Sequence, residues 1–129
     1  MAREILFKAK RIDNGEWEEG YYCKYGYVGK EKHYIIPIYA SDLYAFEIDT
    51  NTLCQYTGLT DKNGNKIWEN DVVKYPAYEE IFKVIWDSGN CEYMVDSEWG
   101  SFGLGYYIGY DLEVIGNVFD NPELLGGGE

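Results

Sequence analysis

Asp61-Lys62-Asn63-Gly64-Asn65 sets carboxylate and amide oxygens at close spacing, the raw material of a calcium loop. Such a loop needs glycine at its sixth position and a bidentate glutamate at its twelfth. Here Gly64 stands fourth and Val72 twelfth, and no helix signal flanks the run. The same residues read as a hairpin turn over 60–67 with Asn63-Gly64 at its tip, because this pair tolerates the positive φ of tight turns. Carboxylates also gather at Glu16, Glu18 and Glu19, and again at Glu69, Asp71, Glu79 and Glu80. Acid–base catalysis needs two carboxyls whose surroundings split their pKa values. Acids beside turns are normally solvated, and Asp71, at a corner, is expected to bond neighbouring backbone N–H groups. The single histidine, His33, has no nucleophile in pattern with it and is expected to be structural. Cys23, Cys54 and Cys91 stand 31 and 37 positions apart without a C-x-x-C pair, which predicts neither zinc nor a disulfide but buried thiols in a reducing compartment. No catalytic, cofactor-binding or metal residue is therefore assigned, and the expectation is a protein without enzymatic activity or cofactor.

One segment concentrates binding chemistry. Between Trp99 and Tyr110 the chain carries Trp99, Phe102, Tyr106, Tyr107 and Tyr110 among glycines. The glycine spacing fits neither a dinucleotide fingerprint nor a phosphate-binding loop, and a mobile loop leading to a glycine-broken strand is expected. Aromatic side chains of this kind dominate interface hot spots and can stack on bases. Base stacking normally comes with a basic groove, which this segment lacks. These five residues are the candidate binding surface.

Charge bounds the partners. The 129 residues hold 11 Lys and Arg against 23 Asp and Glu, a formal net charge of −12. Arg3, Lys8, Lys10 and Arg11 form a small basic start. After Lys83 there is no basic side chain, while Asp87, Glu92, Asp96, Glu98, Asp111, Glu113, Asp120, Glu123 and Glu129 are acidic. Such a field repels phosphate backbones and disfavours nucleic acid as a partner. The longest apolar run, 34–40, contains Pro37 and is far too short to cross a bilayer. The opening residues read as no signal peptide, so the cytoplasm is the expected location, without membrane attachment.

The elements that must position these residues are strands. Helical periodicity is scarce, and fourteen tyrosines with Trp, Val and Ile fall in short runs cut by Gly and Asn. Expected strands are 4–10, with Ile5 and Phe7 on one face, and 17–23 after the Asp13-Asn14-Gly15 turn. A polar connection over 24–32 leads to a strand over 33–38, which Pro37 pushes toward an edge or a strand end, and to another over 43–48. The break at 49–52 separates an N-terminal β-rich subdomain, 1–52, from a second subdomain, 53–125, with a flexible tail over 126–129. In the second part strands are expected at 55–59, 67–68, 72–75, 81–86, 91–95 and 112–119. In the strand over 81–86, Phe82, Val84 and Trp86 oppose Ile81, Lys83 and Ile85. Asn121 as N-cap and Pro122 open a short helical turn. Short strands with tight turns from Gln55 onward fit a small closed or nearly closed barrel.

Three runs carry a family resemblance: Gln55 to Val73 (QYTGLTDKNGNKIWENDVV), Leu112 to Leu125 (LEVIGNVFDNPELL) and Arg3 to Ala9 (REILFKA). In content and spacing they resemble the YopX family of phage and prophage proteins. The family usually has Gly before the Asp of the corner, where this chain has Asn70; Asn also tolerates a left-handed backbone. The resemblance implies a mainly β fold, an N-terminal β-rich subdomain followed by an SH3-like small barrel, and it implies no reaction. The expected role is a phage-derived, macromolecule-binding protein–protein adaptor, with homo-oligomers among its partners. The alternatives are an acidic DNA mimic that occupies a DNA-binding host protein, and a weak nucleic-acid-binding module built on the basic N-terminal strand.

Overall fold

The computed structural model describes residues 4–39, 44–77, 79–98, 100–107 and 111–125, Tyr107 by its backbone only. The chain forms two compact units, 1–56 and 57–129. No helix among the described residues is long and apolar enough to cross a membrane. The tail over 126–129 lies outside the described residues.

The first unit is built from β1 (Phe7–Lys10), β2 (Trp17–Tyr25), β3 (Lys32–Pro37) and β4 (Phe46–Glu47), all antiparallel to their neighbours. The turn between β1 and β2 closes as expected, with Gly15 at φ 74° and its N–H donating to the Arg11 carbonyl at 3.0 Å. Pro37 is the last residue of β3, where a missing N–H is tolerated. Ile5 precedes β1 and is exposed, whereas Phe7 is half-buried; Ala9 and Ile35 are sealed, and Ile48 nearly so, with Phe7 and Tyr22 packed on them.

The polar connection expected over 24–32 forms over 26–31 as the tip of a long hairpin, with its ends taken into the strands. β2 and β3 pair from Gly20 opposite Pro37 to Tyr25 opposite Lys32. The tip folds on itself: Lys30 N donates to Tyr27 O at 2.7 Å, Gly29 sits at φ 83°, and the Glu31 carboxylate accepts from Gly29 N. β4 ends against the residues that follow β1. Arg11 and Ile48 form a bridge, Ile12 N donates to Glu47 O at 3.0 Å and Asp49 N to Lys10 O at 2.9 Å. The ring β1–β2–β3–β4 therefore closes. The polar break at 49–52 is a 3-10 turn, Thr50–Thr52, whose Asp49 side chain accepts from Asn51 N. β5 (Cys54–Thr60) then starts beside β1, with Cys54 opposite Lys8 and Gln55 opposite Phe7.

In the second unit the last residues of β5 lead through a hairpin turn to β6 (Lys66–Trp68). The turn forms where expected. Gly64 N donates to Asp61 O at 3.0 Å, Asp61 N donates to Asn65 O at 2.8 Å, and Gly64 has φ 82°. This is the pattern of a type I turn closed by a left-handed glycine. After Asn70, left-handed at φ 72°, come β7 (Asp71–Tyr75), β8 (Glu80–Asp87), β9 (Glu92–Ser97), β10 (Gly100–Gly103), the one-turn helix α1 (Leu104–Tyr107) and β11 (Glu113–Asn117). Their sheet runs β10-β9-β8-β7-β11, antiparallel throughout, with a bulge in β11 at Ile115.

The alternation in β8 decides where the core sits. Phe82 and Val84 bury completely with Val73, Val95, Leu104, Leu112 and Ile67, while Ile81, Lys83 and Ile85 take the opposite face. The fold is mainly β, as expected, although among the described residues no hydrogen bonds join β10 to β11 to close this sheet. Residues 100–107, expected as a mobile loop leading to a glycine-broken strand, are a short strand followed by a helical turn. Pro122–Leu125 is a 3-10 turn, but Asn121 does not cap it: its side-chain oxygen reaches back to Asn117 N at 3.2 Å.

Candidate functional site

Asp61 stands at the centre of the second unit's hydrogen bonding. It is only 7% exposed and accepts from Asn63 N, Asn65 N and, across 53 positions of sequence, Val114 N, each at 2.9 Å. Burial raises its carboxyl, but the bonds from Val114, Asn65 and Asn63 outweigh this and hold it below the usual aspartate value. Asp71, 2% exposed, accepts from Trp68 N at 2.8 Å, as its corner position predicts. Both carboxylates are structural acceptors. Among the described residues no group of three or more His, Cys, Asp or Glu could hold a metal ion. Cys54 is buried and Cys23 half-buried; Cys91 is exposed, which corrects the expectation of buried thiols throughout.

In the first unit Arg11 gathers its neighbours. Its Nε and Nη2 donate to both oxygens of Asp13 at 2.9 and 2.7 Å, Nη1 lies 3.7 Å from Glu18, and the guanidinium stacks 3.6 Å above Phe46. His33 Nδ1 and Tyr22 Oη share a hydrogen bond at 2.6 Å, consistent with a structural histidine. An open depression of about 420 Å³ passes beside Lys10, Arg11, Lys32, His33, Glu47 and Asp49. Its cations Lys10, Arg11 and Lys32 are matched by the carboxylates Glu31, Glu47 and Asp49, so it presents no field of one sign. Lys8 and Lys10 reach the same ring, with Nζ 4.7 and 5.5 Å from the centre of Trp17. Those contacts draw on the ammonium charges of the basic N-terminal strand.

The aromatic segment is held at one edge of the second unit's sheet. Phe102, opposite Val95 on β10, is 41% exposed, and Tyr106 on α1 is 66% exposed. Leu104 between them is buried and anchors the turn. Trp99, Tyr110 and the Tyr107 side chain lie outside the described residues. The structure adds rings that the reading of the sequence missed. Trp86 and Tyr93 face each other across β8 and β9 with centroids 4.9 Å apart, edge to face, and Trp86 is 46% exposed. Paired positions share a face, so Trp86, Tyr93 and Phe102 lie on the core side of the sheet, with Trp86 and Phe102 at its exposed margin. The signal was available: Trp86 continues the alternation Phe82, Val84 into the end of a strand. The hairpin tip of the first unit was missed as well, with Tyr25, Tyr27 and Val28 almost wholly exposed.

The family model described as YopX protein matches residues 6–126. The chain belongs to the YopX family. Its YopX-type motifs are the structural elements just described: the 61–65 turn with buried Asp61, the Asn70-Asp71 corner, and β11 with the turn after it. Among curated proteins none matches significantly in sequence. The crystal structure of protein EF1440 from Enterococcus faecalis is similar, with a TM-score of 0.59 and 20% identity, covering 96% of this chain and 99% of that one. At that identity the likeness speaks for the fold.

Proposed function

We propose that this YopX-family chain is a phage-derived, non-enzymatic module that binds another protein in the host cytoplasm. The observation that carries the reading is the ring surface of the second unit. Phe102 and Tyr106 project from a strand and a helical turn pinned by Leu104, and Trp86 stands at the margin of the same sheet. Rigidly held, exposed aromatic area is what protein hot spots use. The acids of the C-terminal half support a DNA mimic less well. Asp87, Glu92, Asp96 and Glu113 share one sheet face with Lys74 and Lys83, and Asp120 and Glu123 belong to the turn after β11. The test is affinity capture from host lysate with the wild-type chain and a Phe102→Ala/Tyr106→Ala variant that keeps the wild-type melting curve. A partner retained by the wild type and lost by the variant supports the reading. A partner held equally by both would remove it.

A further inference from the structure

The end of the β2–β3 hairpin departs from the rest of this acidic molecule. Tyr25 is 77% exposed, Tyr27 85% and Val28 100%. Tyr27 and Val28 lie beyond the last cross-strand pair, Tyr25 with Lys32, and form the apex. The apex is one turn, closed by Lys30 N donating to Tyr27 O, with Gly29 N donating to the Glu31 carboxylate, so little ordering is needed on binding. Lys24, Lys30 and Lys32 are all exposed, and no ion pair among the described residues engages them. Lys32 pairs with Tyr25, the neighbour of Lys24, so Lys24 and Lys32 belong to opposite faces of the hairpin. The cations therefore collar the apex instead of lining one side of it. Few acids stand close. Glu31 is half-buried and turned to Gly29 N, while Glu47 and Asp49 border the depression behind Lys32. Glu19 stands six residues back along β2 from Tyr25, roughly 20 Å at strand rise.

We infer that this tip docks on an anionic phospholipid surface, with Tyr27 and Val28 below the headgroups and the lysine collar on the phosphates. A bilayer interface offers the two chemistries in the order the tip presents them: apolar material just beneath a plane of negative charge. Tyrosine favours that boundary, where the ring is apolar and the hydroxyl stays wet. A nucleic acid would satisfy the lysines but gives the fully exposed Val28 no apolar region to enter. The net charge of −12 opposes approach, but at physiological salt charges are screened beyond about 8 Å. Acids as far back as Glu19 therefore act weakly on a surface that the apex touches. The contact is interfacial and needs no membrane-spanning segment. One short apolar turn with three cations also makes it reversible. It uses neither Phe102 nor Tyr106 and stands apart from the adaptor reading.

Co-sedimentation of the full chain with vesicles tests this, with each variant's fold checked by circular dichroism. The chain should bind vesicles of phosphatidylcholine mixed with phosphatidylglycerol, not phosphatidylcholine alone, and should release as salt is raised. Lys30→Glu should weaken binding by about fivefold or more, the worth of one cation at an anionic membrane. Lys62→Glu, in the exposed part of the 61–65 turn, makes the same change in net charge and should leave binding as it was. Tyr27→Ser/Val28→Ser, which changes no charge and no buried residue, should weaken it too. No binding to the anionic vesicles would overturn the proposal. So would equal effects of Lys30→Glu and Lys62→Glu, or an unaffected Tyr27→Ser/Val28→Ser. A chain that binds a single-stranded oligonucleotide through the hairpin lysines and ignores the vesicles would overturn it as well.

Discussion

Asp61 shows how one residue can serve two elements. Its carboxylate satisfies the turn it starts and the Val114 N–H of β11, so removing the charge loosens both. Asp61→Asn should lower stability by about 1.5–3 kcal/mol, the range for hydrogen bonds to a charged acceptor, read from urea unfolding. Its lowered pKa gives the sign of the pH effect. The contribution is present above the unfolded carboxyl value, about 3.9, and is lost as pH falls through the lower folded value. Unfolding curves from pH 6 to pH 2 should therefore show an acid-side loss that is smaller in Asp61→Asn. Gly64 has open space where a Cβ would stand, so only its φ of 82° resists substitution. Gly64→Ala should cost about 1–2 kcal/mol by the same assay, and Gly64→Asn less.

Among the elements, turns and alternation were legible in the sequence and exposure was not. The 61–65 turn, the Asn70 corner and the two faces of β8 follow from local chemistry: a left-handed glycine, an asparagine that tolerates the same region, a two-residue period. The loop expected over 24–32 is shorter, 26–31, because cross-strand pairing carries β2 on to Tyr25 opposite Lys32, which local composition does not reveal. Within the candidate surface, the place of Phe102 on an edge strand depends on pairing with β9, which spacing alone does not reveal. Gly20 marks the tightest approach in that hairpin. A Cβ there would lie 1.9 Å from the Ile36 carbonyl oxygen, so Gly20→Ala must displace backbone. It should destabilise the first unit by more than about 3 kcal/mol, whereas Gly29→Ala, whose Cβ meets nothing, should be limited to the φ penalty. Thermal melts of the two variants compare them directly.

For the whole molecule, charge sets the behaviour in solution. Fluorescence-anisotropy titration with random duplex DNA at physiological salt should show no binding, because cations must gather on phosphates to release counterions. This chain holds Lys8 and Lys10 against the Trp17 ring and carries a surplus of twelve negative charges. Micromolar binding that falls steeply with salt would promote the nucleic-acid reading over the adaptor.

The bridge between Arg11 and Ile48 ties the start of the first unit to its last strand. Two amides, Ile12 and Asp49, are bonded only because that ring is shut. They belong to residues far apart in sequence, yet neither can meet solvent unless the strands part together. In deuterium oxide these amide protons should disappear at one common slow rate, set by a single opening event, while those of the hairpin tip vanish within the dead time.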